Sequence, residues 1–135
     1  MNYLAILVAA TASFIIGALW YGPLFGKPWK AMMDLTPEKI KTMKLTALQA
    51  MVMGFVSALV VAYVLADFVS LSNTGDAVAA FKLAFWIWLG FVATTLAGSF
   101  LWEGKPIKLF ILNASYHFVS IYTATLILTL WNFKF

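Results

Sequence analysis

Four long stretches without a charged side chain constrain this sequence more than any other feature. They cover residues 1–26, 45–66, 83–102 and 109–133. A helix needs roughly 20 mostly apolar residues to cross a hydrocarbon core about 30 Å thick, and each stretch is long enough. The strands of a membrane barrel are about half as long and alternate in polarity, which these stretches do not do. The sequence therefore predicts an all-α polytopic membrane protein, with four transmembrane helices in an up-down bundle.

The composition excludes several other classes of protein. Of the 135 residues, 64% are apolar, and only nine lysines and five carboxylates are charged, whereas a soluble domain is usually about 25% charged. Because cysteine is absent, a disulfide framework and a cysteine-ligated metal site are excluded. The first stretch lacks the basic residues that precede the apolar part of a signal peptide, so we expect a retained spanning helix.

Turn residues set the expected helix ends. Gly22-Pro23 and Gly104-Lys105-Pro106 each place a glycine after a helix and a proline just beyond it. The expected spans are residues 3–21, 45–66, 83–102 and 109–131, within one transmembrane domain, 1–135. Thr36-Pro37-Glu38 is typical of a helix start, so we expect a helix to begin there and run into the second span.

The lysines predict the orientation. Seven lie in the connections 22–44 and 103–108, against two on the opposite side: Lys27, Lys30, Lys39, Lys41, Lys44, Lys105 and Lys108 against Lys82 and Lys134. By the positive-inside rule, the Gly22–Lys44 loop is cytoplasmic and both termini face outward. We expect this loop to contact membrane lipids through their anionic headgroups. Nucleic acid is not an expected partner, because the lysines are scattered and arginine is absent.

Aromatic residues cluster near the expected span ends. Tryptophan and tyrosine prefer the headgroup level of a bilayer. The expected interface anchors are Trp20, Tyr21, Trp29, Trp102 and Trp131.

Polar residues inside the spans are the candidates for a buried polar or ligand site. Asn113, Tyr116, His117 and Ser120 recur at helical intervals and share one face of the fourth helix. The favoured interpretation is hydrogen bonding between helices, worth roughly 0.6–2 kcal/mol per bond. The alternative is contact with a ligand, an ion or a proton at His117.

Two further polar residues belong to this candidate set. Gln49 enters the second span at a depth similar to that of Asn113, so we expect it to be the partner of Asn113. Glu103 ends the third helix, where the helix dipole disfavours a carboxylate; it is either compensated by a nearby lysine or solvated in the loop. A single histidine cannot build a multi-ligand metal site within one subunit, so we expect no catalytic residues, no metal and no cofactor.

Small residues form three stripes at four-residue intervals. Such spacing lets helix backbones approach closely in lipid. The stripes are Ala9, Ser13 and Gly17, then Gly54, Ala58, Ala62 and Ala66, then Gly90, Thr94 and Gly98. We expect a homodimer or higher oligomer with Gly54–Ala58–Ala62 as its contact, the alternative being that all three stripes pack within one subunit.

The two halves of the chain echo each other. Residues 17–23 resemble residues 98–106, and Leu48-Gln49-Ala50 resembles Leu112-Asn113-Ala114, in the same order. Two duplicated helical hairpins explain this echo, and chance similarity between apolar helices is the alternative.

Several longer motifs also resemble a known family. They are LWYGPLFGKPW at residues 19–29, GFV at 90–92, LWEGKP at 101–106, LF at 109–110 and NASYH at 113–117. They resemble the signature of a family of small four-helix bacterial membrane proteins catalogued as a domain of unknown function. The resemblance implies four transmembrane helices and the bacterial cytoplasmic (inner) membrane, and it implies no activity.

These features leave three functional hypotheses. Because few polar side chains lie within the expected spans, the sequence favours a non-catalytic lipid- or protein-interacting membrane module. A small oligomeric transporter or permeation module is the alternative, and a membrane-embedded enzyme or haem-binding protein using His117 ranks last. A continuous water-filled cavity that ends at His117 would favour transport, and a dry, filled bundle would favour the first hypothesis.

Overall fold

The computed structural model describes residues 2–131, and every regular element in that part of the chain is helical. The elements are α1 (Tyr3–Leu19) with a π-helical continuation (Trp20–Leu24), α2 (Gly26–Met32), α3 (Pro37–Lys41), α4 (Ala47–Leu71), α5 (Ala77–Ile87), a second π-helical segment (Trp88–Ala93), α6 (Thr94–Leu101) and α7 (Ile107–Leu130). Lys134, which we expect on the outer side, lies outside the described residues.

Four helical segments are long and apolar enough to cross a membrane. They are Tyr3–Leu24, Ala47–Leu71, Ala77–Leu101 and Ile107–Leu130, with mean hydropathy between 1.3 and 2.2. We call them the first to fourth spans. The prediction of a polytopic all-α membrane protein is therefore confirmed.

Two spans are longer than their charge-free stretches. The second span continues past Asp67 to Leu71, because an exposed carboxylate near a helix end does not stop the helix. The third span begins at Ala77, because the Asp76 side chain caps it by accepting from the Ala79 N–H at 2.8 Å. Lys82 near this end is exposed, and a lysine at such a depth extends its ammonium group toward the interface.

The first span ends differently from the prediction. A glycine that ends a helix commonly adopts a left-handed conformation, but Gly22 has a φ of −106° and a ψ of −105°, which are not helical, so the helix kinks at Gly22 before a further turn through Pro23 to Leu24. The wider π turn places the Phe25 N–H on the Trp20 carbonyl at 2.9 Å. Since proline has no N–H to donate, this wider turn accommodates Pro23. Gly104, after the third span, does adopt the left-handed conformation, with φ +69°.

The helix expected to run from Thr36 into the second span is interrupted, so that prediction is wrong. Thr36 caps α3 by accepting from the Lys39 N–H at 3.2 Å, but α3 ends at Lys41. A new start follows at Thr46, where Thr46 and Gln49 form a reciprocal capping box with bonds of 3.0 and 3.1 Å. This second cap satisfies N–H groups that an uninterrupted helix would bond to its own carbonyls.

Helix α7 occupies the centre of the bundle. It packs against α1, α4, α5 and α6, and α1 also packs along α4. The third span rests chiefly on α7 and has no extensive contact with α4. The two hairpins are therefore not packed equivalently, and the bundle is open between α4 and the third span.

The hydrophobic core lies toward one end of the bundle, which we call the terminal end because it holds Asn2 and Trp131. Alanine supplies more than half of the core: Ala5, Ala9, Ala10, Ala62, Ala84 and Ala124, with Ile6, Leu65, Val69, Ile121 and Leu128. Small side chains let the backbones approach, which strengthens dispersion between helices in lipid. At the opposite end, which we call the loop end because it holds α2 and α3, residues 47–54 of α4 are all exposed. Helix α4 thus packs against the bundle mainly through the half that lies nearest the terminal end.

Candidate functional site

The gap between α4 and the third span forms an open groove of about 550 Å³. Helix α4 supplies one wall, the third span supplies the other, and α7 supplies the floor. The floor side chains are Tyr116, His117, Ser120 and Ile121. The volume lies within the roughly 300–1,000 Å³ that is common for small-molecule sites.

Small residues form part of the α4 wall. The predicted stripe Gly54–Ala58–Ala62 is divided between the groove and the hydrophobic core. Gly54 and Ala58 line the groove, and a Cβ added at Gly54 would meet nothing within 4 Å. Ala62 is only 1% exposed and belongs to the core. The expectation of a subunit contact through Gly54–Ala58–Ala62 is therefore wrong for Ala62, because its face already packs within the subunit.

The floor carries polar groups that the protein itself leaves unused. In residues 2–131, the side chains of Tyr116, His117 and Ser120 form no hydrogen bond, although the Ser120 carbonyl accepts from the Ser13 hydroxyl at 3.4 Å. By contrast, the hydroxyls in the walls donate within their own helices, Ser57 to the Met53 carbonyl at 3.0 Å and Thr95 to the Phe91 carbonyl at 2.8 Å. Hydrogen-bonding capacity is therefore concentrated on α7.

An aromatic layer from the first span holds this face of α7 in place. The Tyr21 hydroxyl donates to Asn113 Oδ1 at 2.6 Å, and the Trp20 indole donates to the Leu112 carbonyl at 3.1 Å. The Tyr21 and Tyr116 rings meet edge to face, with centroids 5.2 Å apart. Gly17 makes room for this layer, because a Cβ there would lie 3.0 Å from the Tyr116 hydroxyl oxygen.

Trp88 supplies a matching bond from the third span. Its indole donates to the Ala114 carbonyl at 2.8 Å. Trp20 and Trp88 each begin a π-helical segment, and each bonds to a carbonyl of α7, whose second lone pair is available. Sequence reasoning missed Trp88 as a positioning residue. The expected span 83–102 places Trp88 only five residues from an interface, where tryptophan is usual, and only the observed start at Ala77 places it eleven residues into the span.

The other predicted site residues do not join the floor. Gln49 is exposed and its side chain accepts from the Thr46 N–H, so the expected pairing with Asn113 is wrong; Tyr21 is the partner of Asn113. The local cap satisfies Gln49 before it can reach another helix. Glu103 is exposed at the end of the third span.

The expected interface anchors have different surroundings. Trp102 is 87% exposed. Trp29 packs on Tyr21 with centroids 5.1 Å apart, and Trp131 is half-buried against the core. Trp20 bonds to α7 whereas Trp102 is exposed, so the two residues that correspond in the sequence echo differ in their contacts.

The third small-residue stripe remains unfilled. A Cβ added at Gly90 or at Gly98 would meet nothing within 4 Å, in contrast to Gly17. The first stripe is thus used within the subunit, and the third leaves space on the outside of the third span.

A second cavity of about 520 Å³ lies at the terminal end, between the start of α1 and the end of α4. Asn2, Asp67, Asn73 and Thr74 are among its lining residues. These residues lie at or near the ends of the first two spans, where polar side chains are common, so a polar lining there does not indicate a ligand. Within residues 2–131, no group of three or more His, Asp or Glu side chains lies close enough to hold a metal ion.

Comparison with known proteins places the chain in a family. A family model described as "Protein of unknown function (DUF1761)" matches residues 4–129. No curated protein and no solved structure matches the chain. The match covers nearly the whole sequence, so the chain belongs to the DUF1761 family.

Proposed function

We propose that this member of the DUF1761 family is a non-catalytic membrane module that holds a lipid-like molecule in the groove between α4 and the third span. The observation that carries the proposal is the groove itself, which opens sideways between two spans and has mostly apolar walls. An opening of this kind gives a molecule dissolved in the bilayer a path to the floor without crossing water.

The basic loop end supports an association with lipid. Five exposed lysines lie on or beside α2 and α3: Lys27, Lys30, Lys39, Lys41 and Lys44. Each lysine near an anionic leaflet is worth about 1 kcal/mol. With this loop on the cytoplasmic side of a bacterial inner membrane, anionic headgroups would gather at the loop end of the groove.

The proposal assigns no catalysis. The chain contains one histidine and no cysteine. Nucleophilic catalysis needs a nucleophile within hydrogen-bond reach of a base, and in residues 2–131 no side-chain hydrogen bond joins His117 to a hydroxyl group. The groove floor instead offers neutral hydrogen-bonding groups, which suit binding.

Site-specific photo-crosslinking tests the proposal. A benzophenone amino acid replaces Val61, which lines the groove and is 47% exposed, or Val56, which lies outside it on the same helix and is 52% exposed. After irradiation of native membranes, we expect Val61 to give an adduct of discrete mass and Val56 to give the mixture of bulk lipids. The same bulk mixture at both positions would refute the proposal, and a protein-sized adduct at Val61 alone would make the partner a protein.

A small oligomeric transporter or permeation module is the second candidate. The polar floor at mid-span and the unfilled space at Gly90 and Gly98 favour it, because a passage between subunits needs both polar groups and a close contact. Gly98→Cys should then cross-link in oxidised native membranes, whereas Phe100→Cys on another face of α6 should not. Monomers from cysteine probes on all four spans would remove the oligomer and the transport hypothesis that needs it.

A further inference from the structure

We propose that the groove floor binds a neutral lipophile that carries a carbonyl group, through hydrogen bonds from His117, Tyr116 and Ser120. A quinone or a similar ring ketone on an apolar chain has this chemistry. The inference rests on the proposed function, because it names the class of molecule that the groove would hold.

The depth of the floor excludes an ordinary headgroup. His117 lies ten residues after the start of α7 and thirteen before its end. At 1.5 Å per residue these distances are about 15 and 20 Å, which places the imidazole near the middle of a hydrocarbon core about 30 Å thick. The phosphate and ester groups of a phospholipid lie at the interfaces, so they do not reach this depth.

A polar occupant at that depth would satisfy donors that open into the groove. His117, Tyr116 and Ser120 each have an N–H or O–H to donate, and in residues 2–131 none of these side chains has an acceptor within the protein. Polar groups without partners are costly where water is excluded. An acyl chain fills space without satisfying them, whereas a carbonyl oxygen accepts two such bonds.

The walls define the rest of the ligand. The groove follows α4 from Gly54 to Phe68, a length of about 21 Å at 1.5 Å per residue. None of its lining side chains is charged, so the ligand is neutral. Valine and leucine supply half of the α4 wall, which suits a slender hydrocarbon chain lying along the helix.

Two matched probes test the inference. Decyl-1,4-benzoquinone and decylbenzene share a planar six-carbon ring and the decyl chain, and only the first has carbonyl oxygens. Because the chain has no cysteine, the quinone meets no thiol. Binding to the intact protein in phospholipid nanodiscs is measured by ligand-observed NMR. We expect the quinone to bind about tenfold tighter than decylbenzene, the effect of one well-formed hydrogen bond.

Four variants complete the experiment. His117→Phe and Tyr116→Phe keep a ring and remove a donor, so each should reduce the preference for the quinone. Val61→Trp fills the groove and should abolish binding of both probes, whereas Val56→Trp should leave both unchanged. Size-exclusion profiles show which variants remain folded, and Tyr116→Phe, which removes one oxygen, keeps the test valid if His117→Phe misfolds.

The outcomes separate the two proposals. Equal binding of both probes to the wild type, lost in Val61→Trp, would overturn the carbonyl inference and leave the lipid-binding groove intact. A quinone preference that survives in His117→Phe and in Tyr116→Phe would also overturn it. Absence of binding for both probes, together with no discrete adduct at Val61, would refute both proposals.

Discussion

The bond from Tyr21 to Asn113 joins the first span to α7 at 2.6 Å and should stabilise the fold measurably. We expect Tyr21→Phe to lower the free energy of unfolding by about 0.6–1.7 kcal/mol, the range found for hydrogen bonds between helices in membranes. Reversible unfolding in mixed micelles measures this change. Tyr63→Phe is the control, because Tyr63 is 46% exposed on α4. If Tyr21→Phe and Asn113→Ala have additive effects, the bond contributes nothing.

Gly17 is expected to be the least replaceable glycine among the small-residue stripes. A Cβ there would lie 3.0 Å from the Tyr116 hydroxyl oxygen, and larger side chains would displace the aromatic layer. We expect Gly17→Val to cost about 1–3 kcal/mol through overpacking. Gly54→Val is the matched control, since nothing lies within 4 Å of its added Cβ. Equal losses in the same unfolding assay would show that close contact with Tyr116 does not matter.

At the scale of the element, the π-helical segments hold one extra residue per turn. Deleting Gly90 from the segment Trp88–Ala93 should let that turn close as an α-helix while the faces before and after it keep their direction. Helix α7 has no π turn that could absorb a deletion. Deleting Val119 would therefore rotate the buried Thr125 and Thr129 away from the core by about 100°. We expect the first deletion to give a folded protein by fluorescence-detected size exclusion, and the second to aggregate. A folded Val119 deletion would contradict this account.

How much of each element was predictable depends on whether its signal is local. The spans were predictable because a charged side chain is costly in hydrocarbon, and Gly104 because its left-handed turn is a local preference. The shared face of Asn113, Tyr116, His117 and Ser120 followed from helical periodicity alone. The partner of Asn113 could not be predicted in this way, because the depth of a residue in the membrane does not tell which neighbouring helix it faces. The Gln49 side chain already accepts from the Thr46 N–H in the cap of its own helix. The bonds from Trp20 and Trp88 to carbonyls of α7 were not predictable either, because they join spans that are distant in the sequence and no local pattern reports them.

At the scale of the whole molecule, the lysine distribution predicts the threading. The loop between α3 and α4 should face the cytoplasm, and the turn at Ser72–Gly75 between the second and third spans should face outward. Sandwich fusions test this: a phosphatase active only outside and a fluorescent protein active only inside are inserted after Thr42 or after Asn73. We expect fluorescence at Thr42 and phosphatase activity at Asn73. The reverse pattern would invert the orientation and would place the basic loop on the outer surface.

The central position of α7 has a consequence for biogenesis. Because α7 follows the third span in the chain, the third span enters the bilayer before its principal neighbour has been synthesised. The first hairpin, α1 with α4, has an interface of its own and can pair early. Until then the third span is a single helix in lipid, so this hairpin can assemble only after α7 has been inserted. A chaperone or insertase that binds single helices would therefore act on the third span. A ribosome stalled before Ile107 would leave the first hairpin paired and the third span without its main partner.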